Sequence, residues 1–121
     1  MKKLSTILKQ KPVFLNDWNS KEQVLADFDV KEKQADANIL FASYTAANYS
    51  GDAWVLSEKD GELWETNGGH CSCYGLEGQW DTERVVLAEL KNRITKGDLG
   101  KGGYSENEFR TELANFLGIK L

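Results

Sequence analysis

The single histidine and both cysteines of the chain lie in one short segment, His70-Cys71-Ser72-Cys73. Histidine and cysteine are the preferred zinc ligands, and a turn at the preceding glycine pair could gather these three side chains, with Glu77 or water as the fourth ligand. The spacing is unfavourable, because successive strand residues point to opposite faces and zinc sites usually take further ligands from a second segment. We therefore expect no bound metal, and zinc held by His70, Cys71 and Cys73 is the alternative.

The same segment contains the residue types of a thiol enzyme. Cys71 or Cys73 could act as the nucleophile, with His70 as its base and Glu77 as the carboxylate that orients the base. Adjacent residues rarely meet, so His70 reaches the thiol of Cys71 only if the backbone bends sharply. The simpler interpretation is that the cysteines are small buried hydrophobic side chains and that His70 satisfies a hydrogen bond at a strand end. We expect a protein without catalytic activity and keep the metal- or thiol-dependent enzyme as the alternative.

Aromatic residues around this segment suggest a surface that binds a protein. Tyr49, Tyr74 and Trp80 are the candidate anchors, because a few aromatic side chains often carry most of the binding energy at interfaces. Gly68, Gly69 and Gly75 would shape the loop that presents them. Exposure of these aromatic side chains would support the interpretation, and burial of all three would oppose it.

The composition disfavours several functional classes. The chain has 121 residues and a net charge of −4, so it lacks the clustered positive charge that nucleic-acid binding requires. Residues 97–103 have neither the spacing nor the preceding strand of a phosphate-binding loop, and we interpret them as a linker. Lys9 and Lys11 interrupt the apolar start before it reaches signal-peptide length, and no apolar stretch is long enough for a membrane span. We expect one intracellular domain over residues 1–121, with reduced thiols.

The periodicity of the chain predicts an α+β domain. Helices are expected around Leu4–Leu8 and after Ser20, and two more near the C-terminus, one capped by Asp81 or Thr82 and one beginning with the capping pair Ser105 and Glu108. Strand-forming residues at 38–44, 53–57 and 62–66 surround the turn Asp60-Gly61, and residues 70–74 could add a fourth strand. We therefore predict an antiparallel three- to four-stranded meander flanked by N-terminal and C-terminal helices.

The turn Asp60-Gly61 also predicts the register of its hairpin. A two-residue loop places Ser57 opposite Trp64, Leu56 opposite Glu65 and Glu58 opposite Leu63. One face of the hairpin then carries Trp54, Leu56 and Leu63, and the other carries Val55 and Trp64. Both faces have apolar residues to bury, which would be covered by helices or by a second copy in a homodimer.

The segment from Ile39 to Trp80 resembles a family of small, largely uncharacterised bacteriophage and prophage proteins. The most specific part is His-Cys-Ser-Cys-Tyr-Gly-Leu-Glu at 70–77, followed by Gln79 and Trp80; the runs 42–44, 49–53 and 60–65 also match. A proline often occupies the position of Thr82 in similar sequences, and residues 1–37 and 97–121 lie outside the resemblance.

The resemblance implies a genomic setting, from which a function can be inferred. A small acidic phage protein in the cytoplasm of its host would bind a host protein and inhibit or modulate it, for example a component of a CRISPR or restriction defence. In a third alternative the motif only stabilises the fold, and the divergent helical ends carry the function.

Overall fold

A five-stranded mixed sheet forms the centre of the computed structural model, which describes residues 1–30, 38–47, 50–71, 74–102 and 106–121. The strands are ordered β1-β2-β3-β4-β5, and β6 and β7 form a separate small ladder. The elements are α1 (Leu4–Leu8), β1 (Val13–Asn16), α2 (Lys21–Phe28), β2 (Asn38–Ala47), β3 (Ser50–Lys59), β4 (Glu62–His70), β5 (Thr82–Val85), α3 (Leu87–Thr95), β6 (Lys101–Gly102), β7 (Asn107–Glu108) and α4 (Arg110–Leu117).

The predicted α+β class is confirmed, but the predicted purely antiparallel meander is wrong. Strands β2 to β5 pair antiparallel, whereas β1 pairs with β2 in parallel. Parallel neighbours need a crossover connection, and α2 lies in the segment that joins β1 to β2. Strand β1 was not predicted, because the four residues after Pro12 are too few to show a strand period.

The β3–β4 hairpin has the predicted turn and register. Ser57 pairs with Trp64, and the next pairs on either side also match. Asp60 and Gly61 have φ values of 55° and 79°, as a type I′ turn requires, and this turn matches the twist of the two strands. The turn therefore determines which side chains of β3 and β4 face each side of the sheet.

Helices cover both faces of the sheet and create two cores. On the face that we call face A, Trp54, Leu56 and Leu63 pack with α1, α3 and α4. On face B, Val55 and Ala42 pack with Trp18, α2 and Leu76. A bulge in β2 lets the consecutive residues Leu40 and Phe41 both join the face A core. Because both faces are covered within the chain, a homodimer would need another surface.

The two C-terminal helices begin later than predicted. Asp81 and Thr82 do not cap a helix, because residues 82–85 pair with β4 as strand β5, and α3 follows at Leu87. Glu108 lies in β7 and Ser105 lies outside the described residues, so α4 starts only at Arg110. The backbone caps α4 instead: the carbonyl of Gly100 accepts from the amides of Phe109 and Arg110, at 2.9 and 3.0 Å.

The other helix predictions agree with the structure. Helix α2 begins after Ser20, whose hydroxyl accepts from the amide of Gln23 at 3.3 Å, and α4 ends at the left-handed residue Gly118. The described residues contain no helix long and apolar enough to span a membrane.

Candidate functional site

The side chain of Gln79 fixes the segment after β4 to the edge of the sheet. Its Oε1 accepts from the amide of Gly69 at 2.8 Å, and its Nε2 donates to the carbonyl of Gly69 at 2.7 Å. The same Nε2 donates to the carbonyl of Gly75 at 2.7 Å. Strand β5 begins at Thr82, which pairs with Thr66, so it does not reach the last residues of β4. The side-chain amide of Gln79 takes its place and bonds to the backbone of β4 at Gly69.

Leu76 closes face B over a glycine of β4. Leu76 is 2% exposed and belongs to the same core as Phe28 of α2. A Cβ atom at Gly68 would lie 2.9 Å from Cε1 of Phe28 and 3.0 Å from Cδ2 of Leu76. The absence of a side chain at position 68 therefore lets both residues pack directly on the strand.

The three predicted anchors differ in position. Tyr74 is 62% exposed, and its carbonyl accepts from the amide of Cys71 at 3.0 Å in an isolated bridge. Trp80 is half-buried, with its ring edge-on to that of Phe28 at a centroid distance of 5.1 Å. Tyr49 lies outside the described residues. Tyr74 is thus a candidate anchor, whereas Trp80 also contributes to the core.

The predicted metal and thiol residues are partly brought together. His70 and Cys71 are half-buried and line one open pocket of about 240 Å³, next to Tyr74. Cys73 lies outside the described residues, and Glu77 does not line this pocket. Among the residues that the structure describes, no three His, Cys, Asp or Glu side chains are grouped as metal ligands.

Glu77 is directed elsewhere. Its carboxylate folds over Gly75, where an added Cβ would lie 2.8 Å from Oε2. It also lies near Tyr44: burial, followed by the carboxylates of Asp27, Asp17 and Glu77, raises the pKa of Tyr44 above its ordinary value of 10.0. The described geometry therefore gives Glu77 no contact through which to orient His70.

A larger cleft on face A was not predicted from the sequence. It has a volume of about 480 Å³. One side is formed by the start of β3 and the end of β4, which pair with each other, and the other side by residues 98–102, a loop that ends in the short strand β6. Gly69 of β4 and Gln79 form part of one wall, and Asp98 and Lys101 form part of the other. No sequence signal joins these residues, because the cleft depends on how α4 holds the loop against the sheet.

A partly buried ion pair lies on the same face as this cleft. Glu65 is 8% exposed and accepts two hydrogen bonds from Arg93 of α3, at 2.9 and 2.7 Å, and another from the indole of Trp54. Burial alone would raise the pKa of Glu65, but the hydrogen bonds from Arg93 and Trp54 outweigh it and hold the pKa below its ordinary value. The side chain of Asn67 also bonds to Glu65, so the pair connects α3 to the cleft.

A second polar network joins β7 to the sheet. Oδ1 of Asn107 accepts from the hydroxyl of Ser43 at 2.7 Å and from the side chain of Asn16 at 3.2 Å. The side-chain amide of Asn107 donates to the carbonyl of Ser43 at 3.2 Å. Asn107 and Ser43 are buried, so these bonds satisfy polar groups that would otherwise destabilise the core.

Comparisons of the chain with protein-family models, curated proteins and solved structures gave no significant match.

Proposed function

We propose that this protein is a binding module that contacts a host protein through Tyr74 and inhibits or modulates it. The setting, a phage or prophage protein acting in the host cytoplasm, comes from the resemblance of the motif at 70–80. A component of a CRISPR or restriction defence is the class of partner that this setting suggests.

The exposure of Tyr74 is the observation that supports the proposal most strongly. Among the described residues, the other large hydrophobic side chains with high exposure are Met1, Val86 and Leu121, none of which is aromatic. Two hydrogen bonds hold the backbone at Tyr74 and at the residue after it: the carbonyl of Tyr74 accepts from the amide of Cys71, and the carbonyl of Gly75 accepts from the side chain of Gln79. An aromatic side chain on a fixed backbone loses little conformational entropy on binding, which is typical of interface anchors.

Site-specific photocrosslinking tests this proposal. A benzophenone amino acid would replace Tyr74 in the full chain, and a matched variant would carry it at Val86, which is 51% exposed and lies between β5 and α3. In a lysate of the bacterial host, we expect one host protein to be crosslinked from position 74 and not from position 86. Identical products from both positions, or none from position 74, would contradict the proposal.

One observation favours the alternative of a metal- or thiol-dependent enzyme. His70 and Cys71 line the same pocket, and Nδ1 of His70 is buried without a hydrogen-bond partner among the described residues. Native mass spectrometry with elemental analysis, on protein purified without chelator or histidine tag, separates the two functions. Stoichiometric zinc would favour the alternative with His70, Cys71 and Cys73 as ligands, whereas a metal-free mass would oppose zinc.

A further inference from the structure

The cleft on face A has aromatic rings at its floor and polar groups at its rim. Trp54 and Phe109 stack with a centroid distance of 5.1 Å and an interplanar angle of 21°. They are only 2% and 4% exposed, so neither presents an open ring face to a ligand. Asp52 and Asn67 are exposed on the wall formed by the sheet, and Asp98 and Lys101 are exposed on the opposite wall.

Separate contacts hold the two walls of the cleft. On one side, Gln79 holds Gly69 through the hydrogen bonds at 2.8 and 2.7 Å. On the other side, the carbonyl of Gly100 caps α4, and an added Cβ at Gly100, which has a φ of 82°, would lie 2.7 Å from the amide of Arg110. This close approach fixes the loop 98–102 against the helix. The cleft is therefore formed without a ligand, as binding pockets usually are.

The lining restricts the chemistry of a ligand. Two carboxylates against one ammonium group disfavour an anion such as a phosphate ester. Asp98 already pairs with Lys101 at 3.3 Å, which weakens the attraction for a cation. The buried faces of Trp54 and Phe109 disfavour the stacking of a planar base. Carboxylate, amide and ammonium groups together accept and donate hydrogen bonds, which matches the hydroxyl groups of a neutral molecule.

We propose that this cleft binds a small, neutral, polyhydroxylated molecule of monosaccharide size. Its volume of about 480 Å³ lies within the usual range for small-molecule sites, about 300–1,000 Å³. Asp52 and Asn67 would bond to its hydroxyl groups from the sheet, and Asp98 and Lys101 from the loop. This proposal does not depend on the partner surface at Tyr74, so either one can fail alone.

A substitution at Gly69 blocks the cleft with little risk to folding. Gly69 pairs with Asp52, and a Cβ atom there would meet no other atom within 4 Å. Its backbone bonds to Gln79 do not need the absence of a side chain. Gly69→Leu therefore places a branched side chain in the cleft, and Lys91→Leu adds the same side chain at an exposed position of α3 that does not line the cleft.

Titrations followed by ¹H–¹⁵N correlation spectra test the proposal on the full chain. The neutral probes are D-glucose, D-galactose and N-acetyl-D-glucosamine, with glucose 6-phosphate and spermidine as the anionic and cationic probes. We expect saturable shifts at the amides of Gly68, Gly69 and Gly100 for at least one neutral sugar, with a Kd on the order of 1–10 mM. Gly69→Leu should weaken this binding at least about tenfold, and Lys91→Leu should leave it unchanged.

Three outcomes would overturn the proposal. One is the absence of saturable shifts at these amides with all three sugars. Another is tighter binding of glucose 6-phosphate or spermidine than of the sugars at the same amides. The third is a sugar response that persists in folded Gly69→Leu protein, because binding would then lie outside the cleft.

Discussion

Alanine substitutions at the neighbouring residues Gly68 and Gly69 should have opposite effects on stability. The two residues are consecutive in β4, so their Cβ atoms would point to opposite faces of the sheet. At Gly68 an added Cβ would lie 2.9 Å from the ring of Phe28 and 3.0 Å from Leu76, whereas at Gly69 it would meet nothing within 4 Å. The same chemical change is therefore tested at a packed position on face B and at an open position in the cleft on face A.

The expected magnitude follows from two opposing effects. Overpacking a closed site costs about 1–3 kcal/mol, whereas replacing glycine by alanine in a compatible conformation stabilises by about 0.4–1 kcal/mol through the unfolded state. We expect Gly68→Ala to lower the free energy of unfolding by about 1–2 kcal/mol and Gly69→Ala to raise it by about 0.5 kcal/mol. The two variants should then differ by about 2 kcal/mol.

Urea unfolding followed by tryptophan fluorescence measures this difference. With a slope of about 2 kcal/mol/M, the two midpoints should be separated by about 1 M. Phe28→Leu removes the ring atoms nearest to the new methyl group, so Gly68→Ala should cost at least about 0.5 kcal/mol less in that background. Equal midpoints for the two alanine variants, or a lower midpoint for Gly69→Ala than for Gly68→Ala, would refute the packing described for Gly68 and Gly69.

Three further predictions concern the polar contacts. Gln79→Leu removes three side-chain hydrogen bonds to the backbone and should destabilise the fold by about 2–4 kcal/mol, measured by urea unfolding. A loss below about 0.5 kcal/mol would contradict a stabilising role for these three hydrogen bonds. A double-mutant cycle with Glu65→Gln and Arg93→Met should give a coupling energy of about 1.5–3 kcal/mol, and additive effects would contradict the ion pair. The pKa of Glu65 is lower in the folded state, so its stabilisation is complete above the ordinary pKa of 4.5 and is lost as the pH falls through the lower, folded-state value. Between pH 7 and 3 the stability of Glu65→Gln should therefore fall less steeply than that of the native chain, and parallel pH profiles would contradict this.

Local signals were sufficient to predict the hairpin. The pair Asp60-Gly61 suits a type I′ turn, and the two-residue loop determines the register of β3 and β4. The alternation of side chains along those strands then correctly assigned Trp54, Leu56 and Leu63 to one face. Each step depends on residues that are close in the chain.

The remaining features depend on contacts between distant segments. Residues 82–85 form a strand because they pair with β4, although the sequence around them suggested a helix start. The start of α4 depends on the carbonyl of Gly100, which no capping pattern reveals. The cleft combines β3, β4 and the loop 98–102, so its lining could not be assembled from local periodicity. For the segment 70–80, the sequence did not reveal that the side chain of Gln79 anchors it to the backbone of Gly69 and Gly75.

The affinity of a purified partner, identified by crosslinking from position 74, tests the central claim most directly. Calorimetric titrations would compare the native chain with Tyr74→Ser and with Val86→Ser, each checked for an unchanged unfolding midpoint. An anchor worth at least about 2 kcal/mol predicts that Tyr74→Ser raises the Kd about 30-fold or more, whereas Val86→Ser changes it less than about twofold. An unchanged Kd for folded Tyr74→Ser would contradict the claim that this protein binds its partner through Tyr74.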